Sequence, residues 1–176
     1  MGWRVAGVAV QRRQINLFGA AACASMMGFA LFAQFGLHLQ PCNMCYLQRI
    51  AVIALGLLFL AAALQDPAAG GARLYALAIA VVAAAGVAVA VRHIWMSMQP
   101  LGSLPSCGAD FYTMVDMLPL TTVVAKIWNG GGECQIVQWR LLGLSMQTWV
   151  LIGAGGLGVV GVAGNVVLER AGPARR

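Results

Sequence analysis

The sequence has 176 residues, of which 61% are hydrophobic and only 9% are charged. This composition excludes an ordinary soluble domain and is typical of an integral membrane protein. The formal net charge of +6 would suit a nucleic-acid-binding protein, but most basic residues flank apolar segments, where they act as topology signals, so we expect no nucleic-acid partner.

Four long intervals without a charged residue divide the chain. They lie between residues 13 and 49, 49 and 66, 73 and 92, and 140 and 169. A bilayer core of roughly 30 Å requires about 20 helical residues, and each interval can supply one span. We therefore predict one all-α membrane domain over residues 1–176, a four-transmembrane-helix bundle with spans at about 17–37, 45–64, 74–91 and 149–168.

The first apolar segment follows three arginines, at positions 4, 12 and 13. A basic N-terminus before an apolar run is also the pattern of a signal peptide, but this run is too long and three further spans follow it. The span contains Cys23, which we expect to be a small buried hydrophobic residue.

The second span begins with a Cys-x-x-Cys pair, Cys42 and Cys45, directly after Pro41. Proline suits the start of a helix, so both thiols should lie at a helix N-terminus, where free backbone N–H groups stabilise a thiolate. This predicts redox chemistry. The alternative is half of a zinc site, but no second Cys-x-x-Cys and no His-x-x-x-His exists, so zinc would have to combine scattered ligands and we expect no metal.

Two polar residues follow on the face of the second span that carries Cys45. Gln48 and Arg49 stand three and four residues after it, so both share its helical face. An arginine inside a span costs roughly 2.5–3.5 kcal/mol. We therefore expect Arg49 to be the cation that stabilises a Cys45 thiolate and whatever group stacks against it; the alternative is a boundary arginine that reaches the lipid headgroups.

The basic residues also predict the orientation of the bundle. With a cytoplasmic N-terminus, seven of the eleven basic residues lie in the cytoplasm, together with both termini. Four cysteines then lie on the outer side: Cys42, Cys45, Cys107 and Cys134. An even set in an oxidising compartment predicts two disulfides. Three pairings are possible, of which the adjacent one, Cys42 with Cys45 and Cys107 with Cys134, is the most economical.

A long outer loop, at about residues 92–147, precedes the last span. Its prolines and glycines argue against regular structure around Cys107 and predict a loose approach to Cys134. Between these cysteines, apolar residues recur at helical spacing from Leu120 to Trp128. They predict either an amphipathic helix on the bilayer surface or a loop packed on the bundle.

In the last span, a stripe of glycines at positions 155, 158, 161 and 164 predicts close helix packing.

Taken together, the motifs resemble those of the DsbB family of disulfide bond formation proteins. The resemblance rests on four spans, on Pro-Cys-x-x-Cys with an arginine four residues later, and on a second cysteine pair in a long outer loop. Gly-Glu-Cys at 132–134 and the segment from Trp139 to Trp149 add to it. It implies a bacterial inner-membrane enzyme, a quinone-dependent protein dithiol oxidase that reoxidises a periplasmic thioredoxin-like DsbA-type partner.

The resemblance also implies roles for individual residues. The Cys107/Cys134 pair would exchange with the partner, with Cys107 in the mixed disulfide, and Cys42 and Cys45 would reoxidise that pair. Ubiquinone or menaquinone would bind beside Cys45, Gln48, Arg49 and His93. Gln48 and Arg92 stand where some members carry an acid, so the electrostatics differ from those members.

Two other functions remain open at this point. A non-catalytic four-helix scaffold would carry structural outer disulfides. A conduit that passes reductant outward would place its cysteines within the spans, where this chain has only Cys23.

Overall fold

The computed structural model describes residues 11–137 and 139–168 in full, and the backbone of residues 4–5 and 8–9. Its elements are β1 (Arg4–Val5), β2 (Val8–Ala9), α1 (Arg12–Phe35), α2 (Asn43–Gln65), α3 (Ala69–Ser97), α4 (Phe111–Met117), α5 (Leu120–Asn129), β3 (Arg140–Leu141), β4 (Leu144–Ser145) and α6 (Met146–Val167). β1 pairs antiparallel with β2, and β3 with β4. Among the described residues, α1, α2, α3 and α6 are long and apolar enough to cross a membrane, which confirms the predicted four-helix membrane fold.

The four long helices pack as a closed ring. α3 lies mainly against α6 and α1 against α2, while contacts of α2 with α3 and of α1 with α6 complete the bundle. Its centre is a cluster of buried residues: Cys23, Val52, Leu55, Phe59, Ile79, Ala83 and Leu157. Phe59 fits there because two glycines make room for its ring; a Cβ at Gly19 or Gly161 would lie within 2.7 Å of it. Large apolar side chains cover the outside, as a lipid-facing surface requires.

The glycine stripe on α6 brings that helix close to α3. A Cβ at Gly158 would lie 2.6 Å from Ala83 Cβ, whereas a Cβ at Gly156 would meet no atom within 4 Å. We expect Gly158→Ala to lower the free energy of unfolding by about 1–3 kcal/mol, since the two helices must move apart. Unfolding in detergent measures this change, with Gly156→Ala as the control. Equal losses in both variants would contradict the close contact.

Buried polar contacts join the helices at the end of the bundle opposite Cys42. The Arg12 guanidinium donates to Asp66 Oδ1 at 3.3 Å and to the Pro67 carbonyl, and Arg12 itself is 3% exposed. Asn16 and Asn165 exchange two hydrogen bonds, of 3.1 and 2.8 Å, between α1 and α6. These bonds satisfy polar groups that would be costly if left unpaired in the membrane.

The helices differ in length from the predicted spans. α1 begins at Arg12 rather than near residue 17, and α3 covers Ala69–Ser97 rather than about 74–91. Gly70 and Gly71 belong to the first turn of α3. The segment between α3 and α6 therefore begins after residue 97, and it contains α4 and α5. The C-terminal arginines used to predict the orientation, at positions 170, 175 and 176, lie outside the described residues.

Candidate active site

The Cys-x-x-Cys pair lies at the start of α2. Cys42 caps the helix with an extended backbone (φ −73°, ψ 168°), and the Cys45 N–H donates to the Cys42 carbonyl at 3.0 Å. The two Sγ atoms are 3.3 Å apart. This confirms the predicted position of the pair at a helix N-terminus, where the free backbone N–H groups favour a thiolate.

Two groups from distant parts of the chain also contact Cys42. His93 Nε2 and Cys134 Sγ each lie 3.4 Å from Cys42 Sγ. His93 belongs to α3, 51 positions away, and Cys134 to the segment between α3 and α6, 92 positions away. Cys42 is therefore placed to bond with Cys134 as well as with Cys45, and adjacent pairing is not the only pairing within reach.

Cys134 lies in a short 3₁₀ turn, Gly132–Gln135, and it is 2% exposed. The N–H groups at positions 131 and 132 donate to the Pro105 carbonyl at 2.9 and 3.2 Å. A Cβ at Gly131 would lie 2.8 Å from Met96 Sδ, so a side chain there would push the turn away from α3. The glycine run was predicted to be loose, but it allows close packing of Cys134 against the bundle.

Cys107 is also buried, with 5% of its surface exposed. No helix or strand covers residues 98–110, as predicted, yet the sulfur belongs to an apolar cluster at this end of the bundle: Met44, Met96, Cys107, Met114, Val123, Ile127 and Cys134. The predicted segment from Leu120 to Trp128 is helical, as α5, and its Val123 and Ile127 pack in this cluster. Burial raises the pKa of the Cys107 thiol to about 11. Another molecule can reach the Cys107 sulfur only after part of this cover has moved away.

The contacts shift the pKa values of Cys42 and Cys134 in opposite directions. A hydrogen bond with Cys42 and then one with His93 lower the pKa of Cys134 to about 5, although burial opposes the shift. The same hydrogen bond with Cys134 raises the pKa of Cys42 well above its usual value. Cys134 is thus the better thiolate, which makes it both a ready nucleophile and a good leaving group at neutral pH.

The lowered pKa predicts when Cys134 loses its proton. In the fully reduced protein, we expect the Cys134 thiolate to form as the pH rises through about 5, well below the pKa of roughly 8.5 of a free thiol. Thiolate absorbance in the ultraviolet, taken as the difference between the wild type and Cys134→Ser, measures this titration. Cys42→Ala should move the step to higher pH, because it removes the first hydrogen bond. A step near pH 8.5 in the wild type would contradict the assignment.

A groove opens beside the cysteines, between α1, α2, α6 and the segment around Trp139. Both Cys42 and Cys45 line it, and so do Gln48, Arg49 and His93. Most of its other walls are apolar, from Met26, Met27, Ala30, Val52, Ile136, Val137, Met146 and Val150. The groove thus joins the reactive sulfurs to an apolar volume that suits a flat, hydrophobic molecule.

The predicted polar residues occupy different positions around this groove. Arg49 donates to Gln34 Oε1 at 2.5 Å and to the Ala30 carbonyl at 3.2 Å, so α1 fixes its guanidinium. Gln48 is 4% exposed, and among the described residues its Nε2 has no hydrogen-bond partner. His93 Nδ1 is likewise buried without a partner in that part of the chain. An unpartnered amide nitrogen, an unpartnered ring nitrogen and one cation therefore belong to residues that line an apolar groove.

One residue at the site, Gln34, was not predicted from the sequence, and two residues that the sequence analysis discussed, Arg92 and Cys23, lie away from the site. A glutamine near the end of an apolar helix could have indicated a polar partner for Arg49, and Gln34 is that partner. Arg92 lies elsewhere, where it donates to the Trp128 carbonyl at 3.0 and 3.2 Å and stacks on Trp95. Cys23 packs against Gly56 in the middle of the bundle, in a different cluster from the other four cysteines. This position gives no support to a conduit through the membrane.

Comparison with known proteins agrees with the geometry. The family model "Disulfide bond formation protein DsbB" matches residues 12–164. A disulfide bond formation protein B of Chromobacterium violaceum is 40% identical over 146 residues, which are 83% of this chain and 88% of that protein. The corresponding protein of Chromohalobacter salexigens is 39% identical over 170 residues, 95% of this chain and 98% of the relative. The chain therefore belongs to the DsbB family of quinone-linked membrane thiol:disulfide oxidoreductases, which reoxidise the oxidase DsbA.

Proposed function

We propose that electrons pass from a periplasmic DsbA-type dithiol to the Cys107/Cys134 pair, then to Cys42 and Cys45, and finally to a membrane quinone in the groove. The observation that carries this route is the position of Cys42 Sγ, 3.3 Å from Cys45 Sγ and 3.4 Å from Cys134 Sγ. One sulfur in contact with two others is the arrangement that disulfide exchange requires.

Each step exchanges one sulfur–sulfur bond for another. A partner thiolate attacks Cys107, the Cys107–Cys134 bond breaks, and Cys134 leaves as a thiolate. Cys134 then attacks Cys42, the Cys42–Cys45 bond breaks, and Cys45 becomes the thiolate. The second partner thiolate closes the partner's own disulfide and releases Cys107, which returns to Cys134 and frees Cys42. The partner has lost two electrons, and Cys42 and Cys45 hold them.

The groove fits a quinone by its chemistry. A quinone ring is flat and apolar and carries two carbonyl acceptors. The apolar walls suit the ring, the unpartnered Gln48 Nε2 can donate to a carbonyl, and His93 Nδ1 can do so when that nitrogen carries the proton. When bound, such a group accepts the two electrons as the Cys42–Cys45 bond forms again. Arg49 places a positive charge where negative charge develops in a low-dielectric region. Ubiquinone and menaquinone share these features.

The distribution of charge supports the proposed orientation. α2 has 23 residues and is therefore about 34 Å long, so Cys42 and Asp66 lie at opposite sides of a bilayer. Arg12, Arg13 and Arg73 lie at the Asp66 end, which we assign to the cytoplasm together with both termini. The redox cysteines then face the periplasm, where the partner docks on the Cys107/Cys134 segment and lipid surrounds the bundle.

Replacing the groove arginine tests the electron acceptor. With purified protein, reduced DsbA-type partner and a soluble ubiquinone, we expect Arg49→Met to lower kcat/KM for the quinone about 10- to 100-fold, because a hydrogen bond from a charged group contributes roughly 1.5–3 kcal/mol. Arg92→Met is the matched control, since that side chain contacts Trp128 outside the groove. Equal effects of the two substitutions, or none, would refute the assigned acceptor site.

A further inference from the structure

The reduced site has the ligand set of a thiophilic metal centre. From this geometry we infer that the fully reduced protein binds one tetrahedral divalent cation, Zn²⁺, through Cys42, Cys45 and His93, with Cys134 as the fourth ligand. The inference needs only the reduced thiols, so it is independent of the direction in which electrons flow.

Three of the ligand atoms already lie close to their places in a zinc site. The Sγ atoms of Cys42 and Cys45 and one ring nitrogen of His93 lie within 4.8 Å of one another, with Cys42 3.3 Å from Cys45 and 3.4 Å from His93 Nε2. Zn–S bonds of about 2.3 Å and Zn–N bonds of about 2.0 Å place tetrahedral sulfurs roughly 3.8 Å apart, and sulfur and nitrogen roughly 3.5 Å apart. The Cys42–Cys45 contact would therefore have to lengthen by about 0.5 Å and the Cys42–His93 contact by about 0.1 Å.

Cys134 completes the set. Its Sγ lies 3.4 Å from Cys42 Sγ but outside the cluster within 4.8 Å that the other three ligand atoms form, so Cys134 must move closer to Cys45 and His93 to bind the cation. Three cysteines and one histidine are a common ligand set of structural zinc sites, whose coordination is closed. Cys134 and His93 are 2% and 4% exposed, while Cys42 and Cys45 are half-buried and line the groove, through which the cation would enter. This ligand set could not be predicted from the sequence, because two of the four ligands come from other elements, 51 and 92 positions from Cys42.

Metal binding and oxidation would exclude each other. A Cys42–Cys45 bond or a Cys42–Cys134 bond removes two thiolate ligands, so a disulfide at Cys42 leaves too few donors for the cation. Conversely, a bound cation occupies the sulfurs that must exchange. Zn²⁺ would therefore hold the protein in its reduced form and stop turnover.

Cadmium titration of the full-length protein in detergent tests the site. We expect the reduced, quinone-free protein to bind one equivalent of Cd²⁺, detected by sulfur-to-cadmium charge-transfer absorption, and Zn²⁺ to displace it; the oxidised protein should bind none. Cys42→Ala should abolish binding, and Cys134→Ala should weaken it at least tenfold. Cys107→Ala is the matched control, because Cys107 is buried in the same cluster as Cys134, and it should bind as the wild type does.

Several outcomes would overturn the inference. These are absence of binding to the reduced wild type, equal binding to the oxidised protein, or a loss in Cys107→Ala as large as that in Cys134→Ala. Thermal unfolding of each metal-free variant identifies a variant that has lost its fold. If a variant has lost its fold, the inference is still decided by the number of cations that the wild type binds and by the comparison of its reduced and oxidised forms.

Discussion

A DsbA-type partner that retains only its attacking cysteine is expected to become trapped on the oxidised protein as a covalent complex. The partner thiolate bonds to Cys107 and lacks the second thiol that would release it. Cys134, set free by this attack, lies 3.4 Å from Cys42 and should bond to it, which prevents its return to Cys107. Non-reducing electrophoresis detects the complex, and mass spectrometry of its peptides should find Cys107 joined to the partner and Cys134 joined to Cys42.

Single substitutions test separately the bond between the partner and Cys107 and the bond between Cys134 and Cys42. Cys107→Ser should give no complex. Cys42→Ala should give a complex that reverses easily, because Cys134 then has no other sulfur to attack. Cys23→Ser should behave as the wild type, since Cys23 lies in the other cluster. The proposed order of exchange would be wrong if the partner were found on Cys134 or on Cys42.

Replacement of Cys45 is expected to have the largest effect on turnover. Cys45→Ala removes the thiol that must become the last thiolate before the electron acceptor, so steady-state oxidation of the partner by quinone should fall by more than about 10³-fold. Quinone reduction, followed by its absorbance in the presence of excess reduced partner, measures the loss. The first exchange does not need Cys45, so the variant should still form the mixed disulfide at Cys107.

Cys23→Ala is the matched control for this loss. It removes another buried thiol, one packed against Gly56 in the centre of the bundle, and it should retain wild-type turnover. If Cys45→Ala kept a rate within tenfold of the wild type, electrons would have to leave by another sulfur. The proposed route would then fail.

The local features of the site were predictable because they depend on neighbours in the sequence. Pro41 and the apolar run after Arg49 are enough to place Cys42 and Cys45 at the start of a helix, and charge-free intervals are enough to find four membrane helices. Helical spacing alone puts Gln48 and Arg49 one turn beyond Cys45, and both line the groove.

The contacts of Cys42 with Cys134 and His93 were not predictable in the same way. They join residues 92 and 51 positions apart, and no local pattern specifies which sulfurs meet when three segments pack together. The extension of α3 to Ser97 was missed because Arg92 and His93 looked like the end of a span. In the folded protein His93 is buried against Cys42, while Arg92 stacks on Trp95, so the helix continues past both.

The burial of Cys107 has a consequence for selectivity. A quinone-driven oxidant whose first sulfur stood open would oxidise any small thiol that diffused past, and oxidised quinone would be consumed without forming disulfides in the partner. Here the sulfur is 5% exposed beneath Met114, Val123 and Ile127. If Cys107 is the first sulfur to react, as proposed, only a protein large enough to bind this surface and displace part of it can start the reaction. The fold itself would then exclude small thiols.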